Sequence, residues 1–439
     1  MNTITLINEK AAFREINKLE PEWLYRLRKR SWEAYNDADM PDKVSHLWRY
    51  TDPADFIVKD LDPLRETLPL LPDYQFVDLR QMQTIHSAFG YNTSGRETYA
   101  QITPELAEKG IIFKELFSAT RDNPKLTEGL LGSLIDENFG KFEALNLALW
   151  NTGFLVYIPD NSVIEKPIYL HRHPTGMSTI ARLLVVIGKN VEATIIDDYS
   201  CHCRHQGAIA NSVVEIFAGD YSKMRYVNIQ RFSDGSHTLI TQRAQIGEGA
   251  KAFSVFGSLG SGISKINSGT ILNGRRAESR MSGFMLGAGA QHFDLHTTHH
   301  HKSDETFSNL DFRVVLKDKA QSAYTGLIRI EKNARNCEAY QENRNLLLDK
   351  GTRAESIPEL EILNDEVHCT HGATMGPIDP EMIYYLQSRG IPENKAEQMI
   401  IEGFMEPTFG RMPESIGTLT KELFSQKLSA SRQPDGEAR

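Results

Sequence analysis

Three short clusters carry side chains suited to metal or sulfur chemistry: Cys201-His202-Cys203-Arg204-His205; His292, His296, His299, His300 and His301 with Asp294; and His368-Cys369-Thr370-His371. Thiolate sulfur and neutral imidazole nitrogen are ligands for zinc, iron and other soft or borderline metals. How the backbone presents them decides what each cluster can do. In a strand Cys201, Cys203 and His205 share one face, but neighbours on a face stand roughly 6–7 Å apart, too far to converge on one zinc without a bend. With no second paired motif, ordinary strand or turn residues are the better reading. Histidines at consecutive positions point in different directions, so only part of the second cluster could converge, and its pattern fits a polar surface loop better than a metal site. Cys369 and His371 alternate correctly to share a strand face. They supply two ligands and cannot complete a tetrahedral site, so a partner chain would have to provide the rest; without one, a satisfied structural pair is the better reading.

Enzyme signatures are missing. The sequence has no glycine-rich lysine phosphate loop, no Gly-x-Ser-x-Gly turn and no His-Glu-x-x-His helix. The adjacent pair Asp197-Asp198 would face opposite sides of a strand and could not flank one glycosidic bond. A chain without an enzyme active site of its own is expected.

The elements that position these clusters follow from the surrounding pattern. A chain of 439 residues, 40% hydrophobic and 24% charged, is long enough for more than one cooperative unit. Its net charge of −9 argues against a nucleic-acid partner. No stretch approaches the ~20 apolar residues of a membrane span, and the first residues lack a signal-peptide pattern, so a cytoplasmic protein is expected. There the four cysteines remain thiols. Residues 1–153 read as a mainly helical lead-in, with helical windows at Pro104 to Phe117, Lys125 to Ile135 and from Phe142, the last closed by a left-handed Gly153. From 154 to 379, short β-branched runs are separated by polar or glycine turns, recurring evenly at Gly188, Gly219, Gly247 and Gly274. A fixed period with no crossover helix points to a mainly β fold, a right-handed parallel β-helix (solenoid), with an antiparallel sandwich as its rival. Residues 380–428 return to helix, with Ala396, Met399, Ile400 and Phe404 near one face, and 429–439 read as a disordered tail.

Asn343-Arg-Asn-Leu-Leu-Leu348, Pro358-Glu-Leu-Glu-Ile362, Val367-His-Cys-Thr-His-Gly-Ala-Thr374 and Tyr385-Leu-Gln-Ser-Arg-Gly-Ile391, in that order, resemble the signature of the SufB/SufD family of iron–sulfur cluster assembly proteins. Trp48-Arg-Tyr-Thr51 and the run from Ala144 to Trp150 look like its SufD side. At the position of Asn343, SufB has the cysteine on which a cluster is thought to be built, and at Gly372 it has glutamate. This chain looks like SufD at both. The resemblance implies a scaffold whose C-terminal coils pair with SufB and whose final helices bind the SufC ATPase, with a homodimer as the alternative in isolation. It implies a transient iron–sulfur cluster at the SufB interface, none held tightly by the chain alone, and His371 facing that interface beside Cys369. Asp294 and His301 fall on family positions, and His301 is a further candidate ligand. A competing reading makes the histidine cluster an iron store or donor.

Overall fold

In the computed structural model, residues 20–58, 86–93, 98–173, 178–200, 207–412 and 414–430 are described. The residues of Cys201-His202-Cys203-Arg204-His205 and the tail beyond 430 lie outside them.

From Thr152–Ile158 onward the chain alternates between a ten-stranded and a nine-stranded sheet, each strand hydrogen-bonding to the strand two along in sequence. His292–His301, for example, lies in parallel register between Ile263–Leu272 and Gln321–Ile330. Each turn of the chain thus gives one strand to each sheet, which makes the body a parallel β-solenoid. Helical crossovers are unnecessary because tight corners do their work. One corner carries a left-handed residue in successive coils, at Asn161, Asn190, Tyr221, Gly249, Arg276, Glu305 and Asn336, close to the spacing of the glycine turns. At Gly274 a Cβ would sit 2.0 Å from the Glu248 backbone nitrogen, so this corner can stack on the one below only as glycine.

Alternation sends one side-chain set of every strand into the lumen, where Leu183, Val214, Ile240, Phe256 and Phe312 join a single continuous apolar core. The opposite set on the ten-stranded sheet, including Val255, Phe284, Leu286 and Val315, packs beneath Ile401, Met405, Phe409, Phe424 and Leu428. Those residues belong to the helices Glu393–Phe409 and Glu414–Ala430. Helix Glu22–Asp37 lies on helix Lys141–Leu149, where buried Arg28 donates to the carbonyls of Ala148 and Trp150 at 3.0 Å each.

The lead-in departs from a mainly helical reading. It contains the strands Ala88–Thr93, Thr98–Ile102 and Ile112–Glu115, which close the first coils of both sheets. The helical window from Pro104 stops after Glu108, because Gly110 turns left-handed (φ 77°) and Ile111 and Phe113 are drawn into the lumen core. The window from Lys125 shortens to Pro124–Thr127, broken by left-handed Gly129 and Gly132. Gly153 does not close a helix. It lies within strand Thr152–Ile158, where a Cβ would meet the Arg182 carbonyl oxygen at 2.0 Å, so its role is close backbone approach. Among the described residues no helix is long and apolar enough to cross a membrane.

Candidate functional site

At the N-terminal end the two sheets finish in the antiparallel strands Thr98–Ile102 and Ile112–Glu115, and at the other end in parallel strands. Val367–Gly376 is the last strand of one sheet and Arg353–Ile362 the last of the other. Among the described residues no further strand meets either, so each presents a row of backbone donors and acceptors at the end of its sheet. Apolar side chains accompany the open edges, among them Leu360, Ile362, Leu363 and Met375, which is 50% exposed. Solenoid ends are normally capped by polar or irregular elements, so an uncapped end is a surface shaped for another strand.

The predicted ligand pair stands on this last coil. Cys369 packs against the lumen core, and alternation puts His371 on the same face. Parallel register sets Ala339 under Cys369, Gln341 under His371 and Asn343 under Ala373. Burial, helped by the nearby Cys337 sulfur, pushes the Cys369 thiol up to about 11. Cys337, one strand below, is itself buried and raised by burial, with its Sγ 3.1 Å from Thr306 Oγ1.

His301 lies deeper in the lumen and does not join the pair. Its Nδ1 is 2.7 Å from Thr306 Oγ1 and its Nε2 is 2.8 Å from Ser308 Oγ, so hydroxyls occupy both ring nitrogens. Burial, with His300 adding, lowers its pKa to about 3 and keeps the ring neutral. It is linked to the terminal coil only indirectly, through Thr306 and Cys337. Among the described residues, no three His, Cys, Asp or Glu side chains are grouped to hold a metal ion.

The histidine-rich stretch is a strand, His292–His301, and not a surface loop. Alternation splits it: Phe293 and Leu295 fix the inward face, which His299 and His301 share, while His292, Asp294, His296 and His300 face out. The outward set is a structural clasp. Lys265 pairs with Asp294 at 2.6 Å, Thr51 donates to Asp294 at 2.6 Å and lies 3.2 Å from His292, and His296 stands 3.0 Å from Asp294. Burial alone would raise the Asp294 carboxyl, but the charges of Lys265 and His296 hold it well below the usual range. Lys265 also bonds to the Leu47 carbonyl and lies 4.8 Å from the Trp48 ring centre. The clasp thereby holds the segment from the short helix His46–Trp48 to Pro53–Phe56 along the outside of the nine-stranded sheet. The strap reaches the open end, where His46 lies 3.0 Å from Glu359.

Two features of this site escaped the sequence reading. Cys337 alone of the four cysteines was given no place, although it pairs with Val367, two positions before Cys369, so the coil period would have brought the two thiols onto neighbouring strands. Gln341 carries no motif and stands out only in three dimensions. Asn343 is buried, accepting from Asn345 Nδ2 at 2.7 Å.

Beyond the last coil, helix Pro380–Gln387 buries no side chain. Met382, Tyr384 (73% exposed) and Tyr385 lie open, as does Met399 on the helix that follows. Asp379, Glu381, Met382, Tyr385, Leu386 and Ile400 line a shallow cavity of about 400 Å³ there. The face expected from Ala396, Met399, Ile400 and Phe404 divides in two. Ala396 is fully buried and Phe404 packs on the solenoid, while Met399 points to solvent.

Two family models match the chain: the SUF system FeS cluster assembly, SufBD core domain, over residues 170–404, and the SufBD protein N-terminal region, over residues 3–170. Iron-sulfur cluster assembly SufBD family proteins of Staphylococcus haemolyticus and Staphylococcus saprophyticus are each 25% identical to it over 430 residues, covering 95% of this chain and 92% of the relative. The Staphylococcus epidermidis protein of the same description matches at 25% over 429 residues with the same coverage.

Proposed function

Because the chain belongs to the SufBD family of iron–sulfur cluster assembly proteins, we propose that it is the SufD-type scaffold of the Suf machinery, a cytoplasmic subunit without an enzyme active site. Its open terminal coil pairs with the corresponding coil of SufB, and a second copy of this chain takes that place when SufB is absent. Cys369 and His371 face the transient iron–sulfur cluster formed at the junction. The observation that carries this reading is the uncapped solenoid end, with two ligands on its lumen face and no third His, Cys, Asp or Glu grouped with them among the described residues.

Asn343 supports the SufD assignment. Its amide is buried and bonded to Asn345, so this chain offers no thiolate where SufB carries one. The open face of Met382, Tyr384, Tyr385 and Met399 is the docking site for the SufC ATPase, since aromatic and methionine side chains are the residues that partner grooves use. The helix behind that face continues into the docked helix Glu393–Phe409, which gives motion of the ATPase a mechanical route to the last coils.

Co-expression with SufB and SufC, with and without this chain, tests the proposal through the mass of the purified complex and its iron and sulfide content. A stable ternary assembly is expected, with cluster yield falling when Cys369→Ala and His371→Ala are combined. An assembly whose cluster yield ignores both substitutions would remove Cys369 and His371 from the chemistry, and failure to associate would remove the scaffold role.

A further inference from the structure

We infer that Gln341 is a further cargo-binding residue, a side-chain amide that donates a hydrogen bond to the sulfide or thiolate sulfur of the iron–sulfur species at the open coil. This rests on the proposed placement of that cargo at Cys369 and His371.

Buried amides are almost always hydrogen-bonded, because stripping one of water without replacement is unfavourable. Gln341 is only 3% exposed, yet neither its Nε2 nor its Oε1 has a partner among the described residues. The surroundings are shaped around this amide. A Cβ on Gly326 would lie 2.4 Å from Gln341 Nε2 and 2.7 Å from the Tyr324 hydroxyl oxygen, so glycine keeps open the gap into which the amide is threaded. Tyr324 is already engaged with Thr297 at 3.0 Å. Leucine at 341 would satisfy the lumen more simply, as Leu310 does one strand earlier.

Position gives the orphaned amide its meaning. Parallel register stacks Gln341 directly beneath His371 on the lumen face. Asn345, two strand turns further along the same face, also leaves its Oδ1 unpaired, and Ser356 Oγ is unpaired on the terminal strand of the facing sheet. Other unpartnered amide atoms, such as those of Asn228 and the Nε2 of Gln242, lie in closed coils, where water is the available partner. Gln341 differs by standing at the open end behind two metal ligands. Amide N–H groups directed at cluster sulfur stabilise its negative charge and hold the cluster more firmly.

The test uses Gln341→Leu and Gln341→Glu in the full complex with SufB and SufC. Three readouts are the loss of iron to a chelator, the visible circular dichroism of the cluster, and the melting temperature of the isolated chain. Leucine removes the donor and relieves the orphaned amide. The expected result is therefore iron loss about tenfold faster with an altered visible spectrum, while the melting temperature holds or rises. Glutamate, without a donor and carrying charge toward sulfur, is expected to lose iron at least as fast as leucine. Iron loss at the wild-type rate in Gln341→Leu would overturn the inference and leave the amide holding only water. A lowered melting temperature accompanied by cluster loss would also overturn it, by making the residue a packing element. Wild-type cluster retention after Cys369→Ala with His371→Ala would instead sink the underlying site, a separate failure.

Discussion

Lys265→Met tests how the lead-in strap is held and what it does for the open end. Lys265 and Asp294 are 2% and 1% exposed in their side chains and are paired at 2.6 Å. Removing one partner of a buried ion pair leaves the other charge uncompensated, at a cost of about 3–5 kcal/mol. Here Asp294 retains the Thr51 hydrogen bond and His296, which places the expected loss near the lower end, about 3 kcal/mol. The lost ammonium also releases the Leu47 carbonyl and its place over the Trp48 ring. Adding Asp294→Leu removes the stranded carboxylate, so the double variant should be more stable than Lys265→Met alone, with a coupling of about 1–3 kcal/mol in the double-mutant cycle. Urea unfolding measures the cycle, and limited proteolysis between residues 40 and 58 reports the strap. Because His46 reaches Glu359 on the terminal coil, the single variant should also weaken the proposed pairing with SufB. A single-variant loss below about 1 kcal/mol with unchanged strap cleavage would refute the reasoning, because no buried ion pair of this kind should be removable so cheaply.

The remaining expectations are independent of the strap. Alkylation of Cys369 by iodoacetamide should be roughly a hundredfold slower than for a free thiol near pH 8, since its thiol is raised from 9.0 to about 11. The stability contributed by that neutral thiol is complete below pH 9 and is lost as pH rises through 11, measurable as a falling urea midpoint in wild type that Cys369→Ala flattens. His299 and His301 are lowered from 6.5 to about 3, chiefly by burial, so the stability tied to keeping them neutral is present above pH 6.5 and lost as pH falls through 3; His301→Gln should shrink this acid loss by a few kcal/mol in the same assay. Lys427 donates to the carbonyls of Leu259 and Leu286 and to Gln291, each at 2.6 Å, and Lys427→Met should cost about 2–3 kcal/mol and expose helix Glu414–Ala430 to proteolysis. Gly283→Ala would set a Cβ 2.1 Å from the Phe312 ring and should lower stability by about 1–3 kcal/mol in thermal unfolding, whereas Gly372→Ala, with nothing within 4 Å, should cost far less.

The solenoid was legible because its signal is periodic. Glycine turns at 188, 219, 247 and 274 recur with the coil, and the corner residues Asn190, Tyr221, Gly249 and Arg276 lie just after them with positive φ. The lead-in was harder because its short strands borrow their partners from the solenoid. Ile112–Glu115 is held by Phe154 to Tyr157, far along the chain, and local helical spacing gives no hint of that edge. Gly153 misled for a related reason: a glycine after a helix resembles a cap, while its actual constraint is the Arg182 carbonyl of the next coil. Of the predicted ligands, alternation correctly placed Cys369 and His371 on one face of a strand. It could not reveal that Thr306 and Ser308, arriving from the following strand and its corner, would occupy both nitrogens of His301. The histidine cluster similarly took its order from Lys265 and Thr51, which no local pattern connects to it.

The terminal coil breaks several rules of a self-sufficient fold at one place. Among the described residues, its two strands leave both sheet edges open, its apolar side chains remain half exposed, and the coil beneath it buries an amide without partners. Unpartnered amide atoms also occur in the closed coils, at Asn228 and Gln242, whereas beneath the final helices Lys427 satisfies three acceptors at once. Open edges, exposed apolar side chains and an unpartnered amide gathered at one surface are the pattern expected where a fold has been held back from its stability optimum by what that surface must bind. A strand-bearing partner would pair the open backbone and cover Leu360, Ile362 and Met375. A sulfur-rich cargo behind that partner would give Gln341 its acceptor and complete the ligand set begun by Cys369 and His371. Edge, apolar rim and orphaned amide would then answer to the single assembly proposed above, and capping the end with a polar strand should stabilise the isolated chain while abolishing the proposed pairing with SufB.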